Sequence, residues 1–234
     1  KKPMQKIGMI GGLSWVSTAE YYRLMNEITQ AELGGVNSAH IVLESVNREL
    51  YAEYVYRRND EDAAFEMIAS AAKSVERAGA EFIVITCNDV HRFVPEVEKL
   101  ISIPFLHIAS AAAEKIKEAG ISTVALLGVR KTMELGFYAD VLNDHGIRTI
   151  IPDDDERTFV DDSIMNEMVA GKFLDTTLEE YIDLTKSLAA RGAEGIVLGC
   201  TEIPLLIDAS HTDVLLFSTT DIHCHAAIKR AIAN

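Results

Sequence analysis

Two cysteines, Cys87 and Cys200, stand at positions where thiols could do chemistry. Each follows a short apolar run, Glu81–Ile85 and Gly195–Leu198, of the kind found in buried strands. Residues that favour loops or helix starts come next, so each sulfur should lie near backbone N–H groups that favour the thiolate. A thiolate can remove a proton from one face of a chiral carbon, and a second thiol can return a proton to the opposite face. Such a pair can invert a carbon centre with neither a metal nor pyridoxal phosphate.

The chain repeats itself around these cysteines. Arg77–Asn88 resembles Arg191–Thr201, and Lys6–Gly11 resembles Thr123–Gly128. The offsets are 113 and 117 residues, about half the chain. Strand-and-helix units can resemble one another by composition alone, but here the cysteines match as well as the strands. We therefore expect two similar lobes, each with a cysteine at the carboxyl end of a strand, where parallel sheets bind ligands.

The apolar runs predict the fold class. They are nearly continuous, which is typical of buried parallel strands: Lys6–Ile10, His40–Leu43, Glu81–Ile85, Pro104–Ile108, Thr123–Leu127, Arg148–Ile151, Gly195–Leu198 and Val214–Phe217. Capped helical stretches lie between them: Ser17 with Glu20 predicts a capping box, and Asn59 and Thr177 predict two further helix starts. Alternating strands and helices indicate an α/β fold of two pseudo-symmetric lobes, each a parallel-sheet sandwich, with the active site in the cleft between them.

Composition excludes several classes of partner. The 234 residues carry a net charge of −14, which disfavours binding to a nucleic acid backbone. No apolar run approaches the ~18 residues that span a membrane, and we expect no signal peptide before the first strand. Three scattered cysteines do not make a disulfide framework, which favours a reducing, cytoplasmic compartment.

Removing the α-proton of an amino acid requires stabilisation of the charge that develops on its carboxylate. Backbone N–H groups near Asn88, Asp89, Thr201 and Glu202 could supply it, as could the turn Gly11–Ser14, where glycine allows close approach to a ligand. That turn is neither a dinucleotide fingerprint nor a phosphate loop, so nucleotide binding is poorly supported.

Three motifs resemble the aspartate/glutamate racemase family: Ile7–Thr18, Thr86–His91 and Gly199–Leu206. Glu202 follows the Cys-Thr pair, as in aspartate-type members, where glutamate racemases carry His. The resemblance implies two-base catalysis by Cys87 and Cys200, no cofactor, a small amino-acid substrate and a homodimer. It also implies that the C-terminal strand and helix complete the first lobe, which would contain residues 1–103 and 208–234, with 104–207 in the second. Substrate contacts are expected from Gly12, Ser14, Trp15, Asn88, Asp89, Thr132, Thr201 and Glu202.

Asp89 departs from the family pattern, which is usually Cys-Asn-Thr after the first cysteine. A carboxylate there should repel a substrate carboxylate, so we expect altered specificity or weak activity on aspartate, with the substrate amino group drawn to Asp89. The basic residues that hold the distal carboxylate in aspartate-specific members have no clear match, and Arg48 aligns loosely. This favours a broad-specificity amino-acid racemase.

Other interpretations stay open. One is a hydantoin racemase or a decarboxylase of the same superfamily, although the decarboxylases and isomerases of this fold often lack one cysteine of the pair. Another is a non-catalytic amino-acid binding protein. His91, four residues after Cys87, could orient the thiol, but a surface or capping role is the simpler interpretation. His223 and His225 would point apart on a helix, so no metal site is expected, and Cys224 is expected in the core.

Overall fold

The computed structural model describes residues 3–233. They form two units, one of residues 3–108 with 223–233 and the other of residues 109–222. Each contains a parallel sheet, of three strands in the first unit and four in the second, so the predicted α/β fold is confirmed. No helix within residues 3–233 is long and apolar enough to cross a membrane.

The first unit is built around the sheet β2-β1-β3, whose strands are all parallel. Its elements, in chain order, are β1 (Ile7–Gly11), α1 (Trp15–Leu33), β2 (Ile41–Ser45), α2 (Arg48–Ala52), a π-helix (Glu53–Arg57), α3 (Glu61–Arg77), β3 (Phe82–Ile85), a 3-10 helix (Asp89–Phe93), α4 (Val94–Val97) and a 3-10 turn (Glu98–Leu100).

The second unit is built around the parallel sheet β5-β4-β6-β7. Its elements are α5 (Ile108–Glu118), β4 (Thr123–Leu127), α6 (Arg130–Glu134), α7 (Phe137–Asp144), β5 (Arg148–Ile150), α8 (Asp154–Asn166), a 3-10 turn (Met168–Ala170), α9 (Asp175–Ala190), β6 (Gly195–Leu198), α10 (Ile203–Leu206) and β7 (Leu215–Ser218). The last helix, α11 (Thr219–Ile232), begins in this unit and continues into the first.

The last strand does not complete the first lobe, contrary to what the resemblance implies. Strand β7 pairs in parallel with β6, from Gly195 opposite Leu215 to Leu198 opposite Ser218. Because this pairing holds β7 in the second sheet, only the helix after it contributes to the first unit. The chain passes from one unit to the other between residues 108 and 109 and again between residues 222 and 223. The boundaries expected from the sequence lie between 103 and 104 and between 207 and 208.

One predicted strand is wrong. The run Pro104–Ile108 makes only an isolated parallel bridge from Phe105 to Ile83, because Ile108 already begins α5. The other seven predicted strands form, with ends that shift by two residues or less.

Helix starts are predicted less well than strands. The N-cap of α1 is Ser14, whose Oγ accepts a hydrogen bond from Ser17 N, and not Ser17 itself. Asp60 rather than Asn59 caps α3, and α9 begins at Asp175, two residues before Thr177. Several polar residues in a row can each act as a cap, so the sequence locates such a start only within a few residues.

The two strands that precede the cysteines lie in the cores of their units. Every residue of β3 and of β6 is buried. Ile83 and Ile85 share one apolar cluster with Ile68 of α3, and Ile196 shares another with Tyr181 of α9. Burying an aliphatic side chain of this size contributes about 1.5–3 kcal/mol. The core therefore holds each strand firmly, and with it the backbone from which each cysteine projects.

Candidate active site

Cys87 projects from the segment that joins β3 to the following 3-10 helix. Its side chain is half-buried, and its Sγ donates a hydrogen bond to Asp89 Oδ1 at 2.9 Å. Asp89 is the first residue of the 3-10 helix and is 6% exposed. The sequence therefore folds so that a thiol and a carboxylate two residues apart meet directly.

The other oxygen of Asp89 is held by two donors. Asp89 Oδ2 accepts hydrogen bonds from Tyr51 Oη at 3.1 Å and from Arg92 Nη1 at 3.0 Å. Burial, with the neighbouring Asp89 carboxylate next, raises the pKa of Tyr51 well above its ordinary value, so the phenol is a neutral donor. Both carboxylate oxygens are thus engaged within the protein, which does not favour the predicted direct contact with a substrate amino group.

Arg92 joins this carboxylate to a second one. Its Nη1 also donates to the carbonyl oxygen of Asp89 at 2.8 Å, and its Nε donates to Glu61 Oε2 at 2.9 Å. Burial lowers the pKa of Arg92, but Tyr51, Asp89 and Glu61 together raise it above its usual value, so the guanidinium stays charged. We call Tyr51, Glu61, Cys87, Asp89 and Arg92 the Cys87 cluster.

Cys200 occupies the corresponding position after β6. Its Sγ donates a hydrogen bond to Glu202 Oε2 at 3.0 Å, and Thr201 Oγ1 donates to the same oxygen at 2.8 Å. All three residues are half-buried, and Glu202 precedes the first residue of α10. We call Cys200, Thr201 and Glu202 the Cys200 cluster.

The two clusters share one motif, a thiol that donates to a carboxylate two residues later. This match is hidden when Asp89 is compared with the threonine usual in the family and not with Glu202 in the other half of the repeat. The pattern Cys-x-acid, present in both halves, was the signal that could have revealed it. Asp89 is therefore a departure from the family pattern but agrees with the internal repeat.

The glycine turn after β1 is tied to the strand that precedes Cys87. Gly12 has a φ of 93°, and a Cβ there would clash with the carbonyl oxygen of Val46. The N–H of Gly12 donates to Thr18 Oγ1 at 2.8 Å, and that hydroxyl lies 3.0 Å from Thr86 Oγ1. Because its N–H is already bonded, Gly12 serves the turn's conformation rather than offering a donor to a ligand.

The other predicted contacts of the first unit differ in their exposure to solvent. Ser14 Oγ accepts from the backbone of Ser17 at 3.3 Å, which leaves the hydroxyl hydrogen of Ser14 able to point elsewhere. Trp15, the first residue of α1, is 72% exposed. Asn88 is 4% exposed and lies between Cys87 and Asp89 in the chain.

Among the predicted contacts of the second unit, Thr132 lies farthest from Cys200 in sequence. It is 1% exposed in α6, and a Cβ added at Gly199 would contact its methyl group at 3.4 Å. Within the described part of the chain, its Oγ1 has no hydrogen-bond partner. A buried hydroxyl without a partner is costly, so this donor next to Gly199 is suited to a ligand.

His91 is buried, so the interpretation of it as a surface residue is wrong. Its Nδ1 lies 2.8 Å from Cys87 O and 3.2 Å from Asn88 O. Both partners are carbonyl acceptors, so Nδ1 carries the hydrogen. Burial, followed by the neighbouring His107 and His223, lowers the pKa of His91 well below its usual value. A neutral ring therefore braces the backbone that carries the Cys87 thiol.

His223 supports the same region through both of its ring nitrogens. Its Nδ1 lies 2.8 Å from Tyr21 Oη and its Nε2 lies 2.7 Å from the carbonyl oxygen of Leu106. His225 is exposed, and residues 3–233 contain no group of three or more side chains that could hold a metal ion. Cys224 is fully buried in the core, as predicted.

Comparison with known proteins gives consistent matches along nearly the whole chain. The family model for Asp/Glu/Hydantoin racemase matches residues 10–227. The "Broad specificity amino-acid racemase RacX" of Bacillus subtilis (strain 168) is 25% identical over 220 residues, which are 92% of each chain.

Two solved structures share the fold and a substantial part of the sequence. A protein of Yersinia pestis assigned as an Asp/Glu racemase is 42% identical, with a TM-score of 0.92 over 98% of this chain and 100% of its own. An aspartate racemase homologue of Pyrococcus horikoshii OT3 is 31% identical, with a TM-score of 0.85 over the same shares. The chain therefore belongs to the Asp/Glu/hydantoin racemase family, and it is a racemase, an isomerase that inverts a chiral centre.

Proposed function

We propose that this racemase acts on amino acids without a cofactor and uses Cys87 and Cys200 as its two bases. The observation that carries the proposal is the thiol–carboxylate motif at the end of β3 and again at the end of β6. Two independent units that keep the same motif at the same strand position fit a reaction that needs two equivalent groups.

In this mechanism one sulfur acts as thiolate and the other as thiol. The thiolate takes the proton from Cα, so that a C–H bond breaks, an S–H bond forms and the electron pair stays on the substrate. The second thiol then donates its proton to the opposite face, and its sulfur becomes the thiolate. The enantiomer formed is processed by the same steps with the roles of the sulfurs exchanged, so nothing is consumed.

The carboxylates Asp89 and Glu202 orient the two S–H groups. Each accepts the thiol hydrogen directly, at S···O distances of 2.9 Å and 3.0 Å. An S–H group held in one direction lowers the entropy that must be lost before proton transfer. In this role both residues act on the substrate through their cysteines.

Hydrogen-bond donors around the two sulfurs stabilise the developing carbanion in this mechanism. Thr132 Oγ1 is buried and available, and a substrate carboxylate would satisfy it. We propose that the remaining substrate contacts come from backbone and side-chain groups of Gly12, Ser14, Trp15, Asn88, Asp89, Thr201 and Glu202. Since the N–H of Gly12 is bonded to Thr18, its contribution is the shape of the turn.

The substrate we favour is a broad set of amino acids and not aspartate alone. One relative, which aligns over 92% of both chains, is a broad-specificity amino-acid racemase, whereas two of the similar structures are an aspartate racemase homologue and an aspartate racemase. The cytoplasmic location and the homodimer predicted from the sequence remain part of this proposal.

A panel of D- and L-amino acids, screened by chiral chromatography, tests the proposal with three matched variants. Cys87→Ala and Cys200→Ala should each reduce racemisation by about a thousandfold or more, because each removes a group that transfers a proton. Cys224→Ala, in the core of the first unit, should stay within about twofold of the wild type. Full activity of either active-site variant would refute the two-base scheme. Binding without racemisation of any amino acid would support a non-catalytic amino-acid binding protein. Turnover of hydantoins alone would support a hydantoin racemase.

A further inference from the structure

The Cys87 cluster contains an electrostatic conflict. Under the proposed function Cys87 must become a thiolate during every cycle, yet Asp89 places a carboxylate 2.9 Å from its sulfur. Two negative groups at this distance strongly disfavour each other, and more so where water is excluded. Asp89 is 6% exposed, so solvent does little to relieve the repulsion.

Arg92 is placed to resolve this conflict. Its Nη1 reaches Asp89 Oδ2 at 3.0 Å, on the side of the carboxylate away from the sulfur-bonded Oδ1. The same nitrogen donates to the carbonyl oxygen of Asp89 at 2.8 Å and to Tyr51 Oη at 2.9 Å. One guanidinium therefore fixes both the backbone and the side chain of the residue that faces the thiol.

Arg92 is itself held in place from the opposite side. Its Nε and Nη2 donate to the two oxygens of Glu61 at 2.9 Å and 3.3 Å, and its guanidinium carbon lies 4.2 Å from the centre of the Phe93 ring. Only 7% of the Arg92 side chain is exposed. A lysine could not make these contacts together, because its single ammonium lacks the planar array of donors.

We propose that Arg92 is a positioning residue for the reaction: it holds Asp89 against the Cys87 thiol and offsets the charge of that carboxylate, so that Cys87 can ionise beside it. This rests on the proposed function and deepens it. The Cys200 cluster provides an internal comparison, since Glu202 receives its hydrogen bonds from Cys200 and Thr201 and forms no ion pair with a basic residue within the described chain.

The test measures thiol reactivity and so does not depend on any substrate. The wild type, Arg92→Met and the double variant Asp89→Asn/Arg92→Met are treated with iodoacetamide at pH 8, and alkylation of Cys87 and Cys200 is followed by peptide mass spectrometry. In Arg92→Met the rate at Cys87 should fall by about tenfold, because Asp89 loses its counter-ion. In the double variant the rate should return to the wild-type value or exceed it. The rate at Cys200 should stay within about twofold in all three proteins.

Two further variants keep the outcome interpretable. Arg23→Met removes an exposed arginine that also pairs with two carboxylates. It should leave the alkylation rates of Cys87 and Cys200 unchanged. If Arg92→Met unfolds, both thiols will react rapidly, and Arg92→Lys is then used in its place. Arg92→Lys should slow the alkylation of Cys87 and not that of Cys200, because the lysine ammonium cannot make all the contacts of the guanidinium.

An unchanged rate at Cys87 in both Arg92 variants, or a failure of Asp89→Asn to restore it, would overturn the inference. Racemisation assays on the same proteins separate the two claims. A wild type without racemase activity overturns the proposed function whatever the alkylation rates are, whereas an active Arg92→Met with a normal Cys87 overturns only the role of Arg92.

Discussion

The Cys87 and Cys200 clusters carry the same thiol–carboxylate motif in different surroundings. Asp89 is nearly excluded from solvent and is neutralised by Arg92, while Glu202 is half-buried and bonded to Cys200 and Thr201. A buried charge requires a partner, whereas a partly hydrated one does not. A repeat can therefore preserve a reactive thiol–carboxylate pair while different side chains hold that pair in each unit.

The largest expected difference between the clusters is in stability. Arg92→Met leaves the buried Asp89 carboxylate without its counter-ion and should lower the free energy of unfolding by about 3–5 kcal/mol. Glu202→Ala removes a half-buried carboxylate that has no counter-ion within residues 3–233, and it should lower the free energy of unfolding by less than about 1 kcal/mol. Urea unfolding followed by circular dichroism measures both, and equal losses would contradict the comparison.

Acid should weaken the unit that contains Cys87. Burial lowers the pKa of His223 from 6.5 to about 4, so the unfolded chain binds this proton more readily than the folded one. The stability that depends on neutral His223 is complete above pH 6.5 and is lost as the pH falls towards 4. At pH 5 the loss should be roughly 2 kcal/mol from this residue.

Hydrogen exchange at pH 7.5 and pH 5 locates this loss. Amides around α11 and β3 should lose protection at the lower pH, while those of β4 and β6 should change less. His223→Phe should reduce the dependence on pH. Equal loss of protection in both sheets would argue against a histidine-dependent weakness of one unit.

A smaller effect, on activity alone, is expected in the Cys200 region. Thr132→Val keeps the shape of the side chain and removes a buried hydroxyl that has no partner within residues 3–233. Stability should stay the same or rise slightly, whereas kcat/KM should fall about tenfold if the hydroxyl binds substrate. An unchanged kcat/KM would show that the Thr132 hydroxyl does not bind substrate.

The smallest expected effect on stability is at the start of α1. Trp15→Ala removes a side chain on a residue that is 72% exposed, so thermal unfolding should shift by no more than about 0.5 kcal/mol. Any change should appear as a higher KM. A large loss of stability would show that Trp15 is part of the fold and not of substrate binding.

Much of the fold follows from the sequence because buried parallel strands have a strong local signature. Seven of eight predicted strands form, and Pro104–Ile108 fails because its apolar residues belong partly to α5. The partner of the last strand was not predictable in this way, since β7 carries no local signal that distinguishes one sheet from the other. The implied crossing of that strand into the first lobe is therefore corrected by its pairing with β6.

The reactive residues were predictable from the sequence, but their support was not. Cys87 and Cys200 stand out from the repeat, whereas Tyr51 reaches Asp89 from 38 positions away in the chain. Arg92 is three residues after Asp89, a spacing that brings side chains together on a helical turn, but the sequence did not indicate that such a turn forms there. His91 illustrates the same limit, because only the packing of its neighbours shows that it is buried. Side chains that act through other side chains depend on tertiary contacts, which one sequence does not display.

The central claim is that two thiols act on opposite faces of one carbon, and the isotope pattern in deuterium oxide tests it most directly. Each enantiomer of an accepted amino acid is incubated separately, and substrate and product are separated by chiral chromatography at low conversion. The account predicts one deuterium at Cα of the inverted product and little in the recovered substrate, from either enantiomer. Recovered substrate that gains deuterium as fast as the product from both enantiomers would show a single exchanging base and contradict the account.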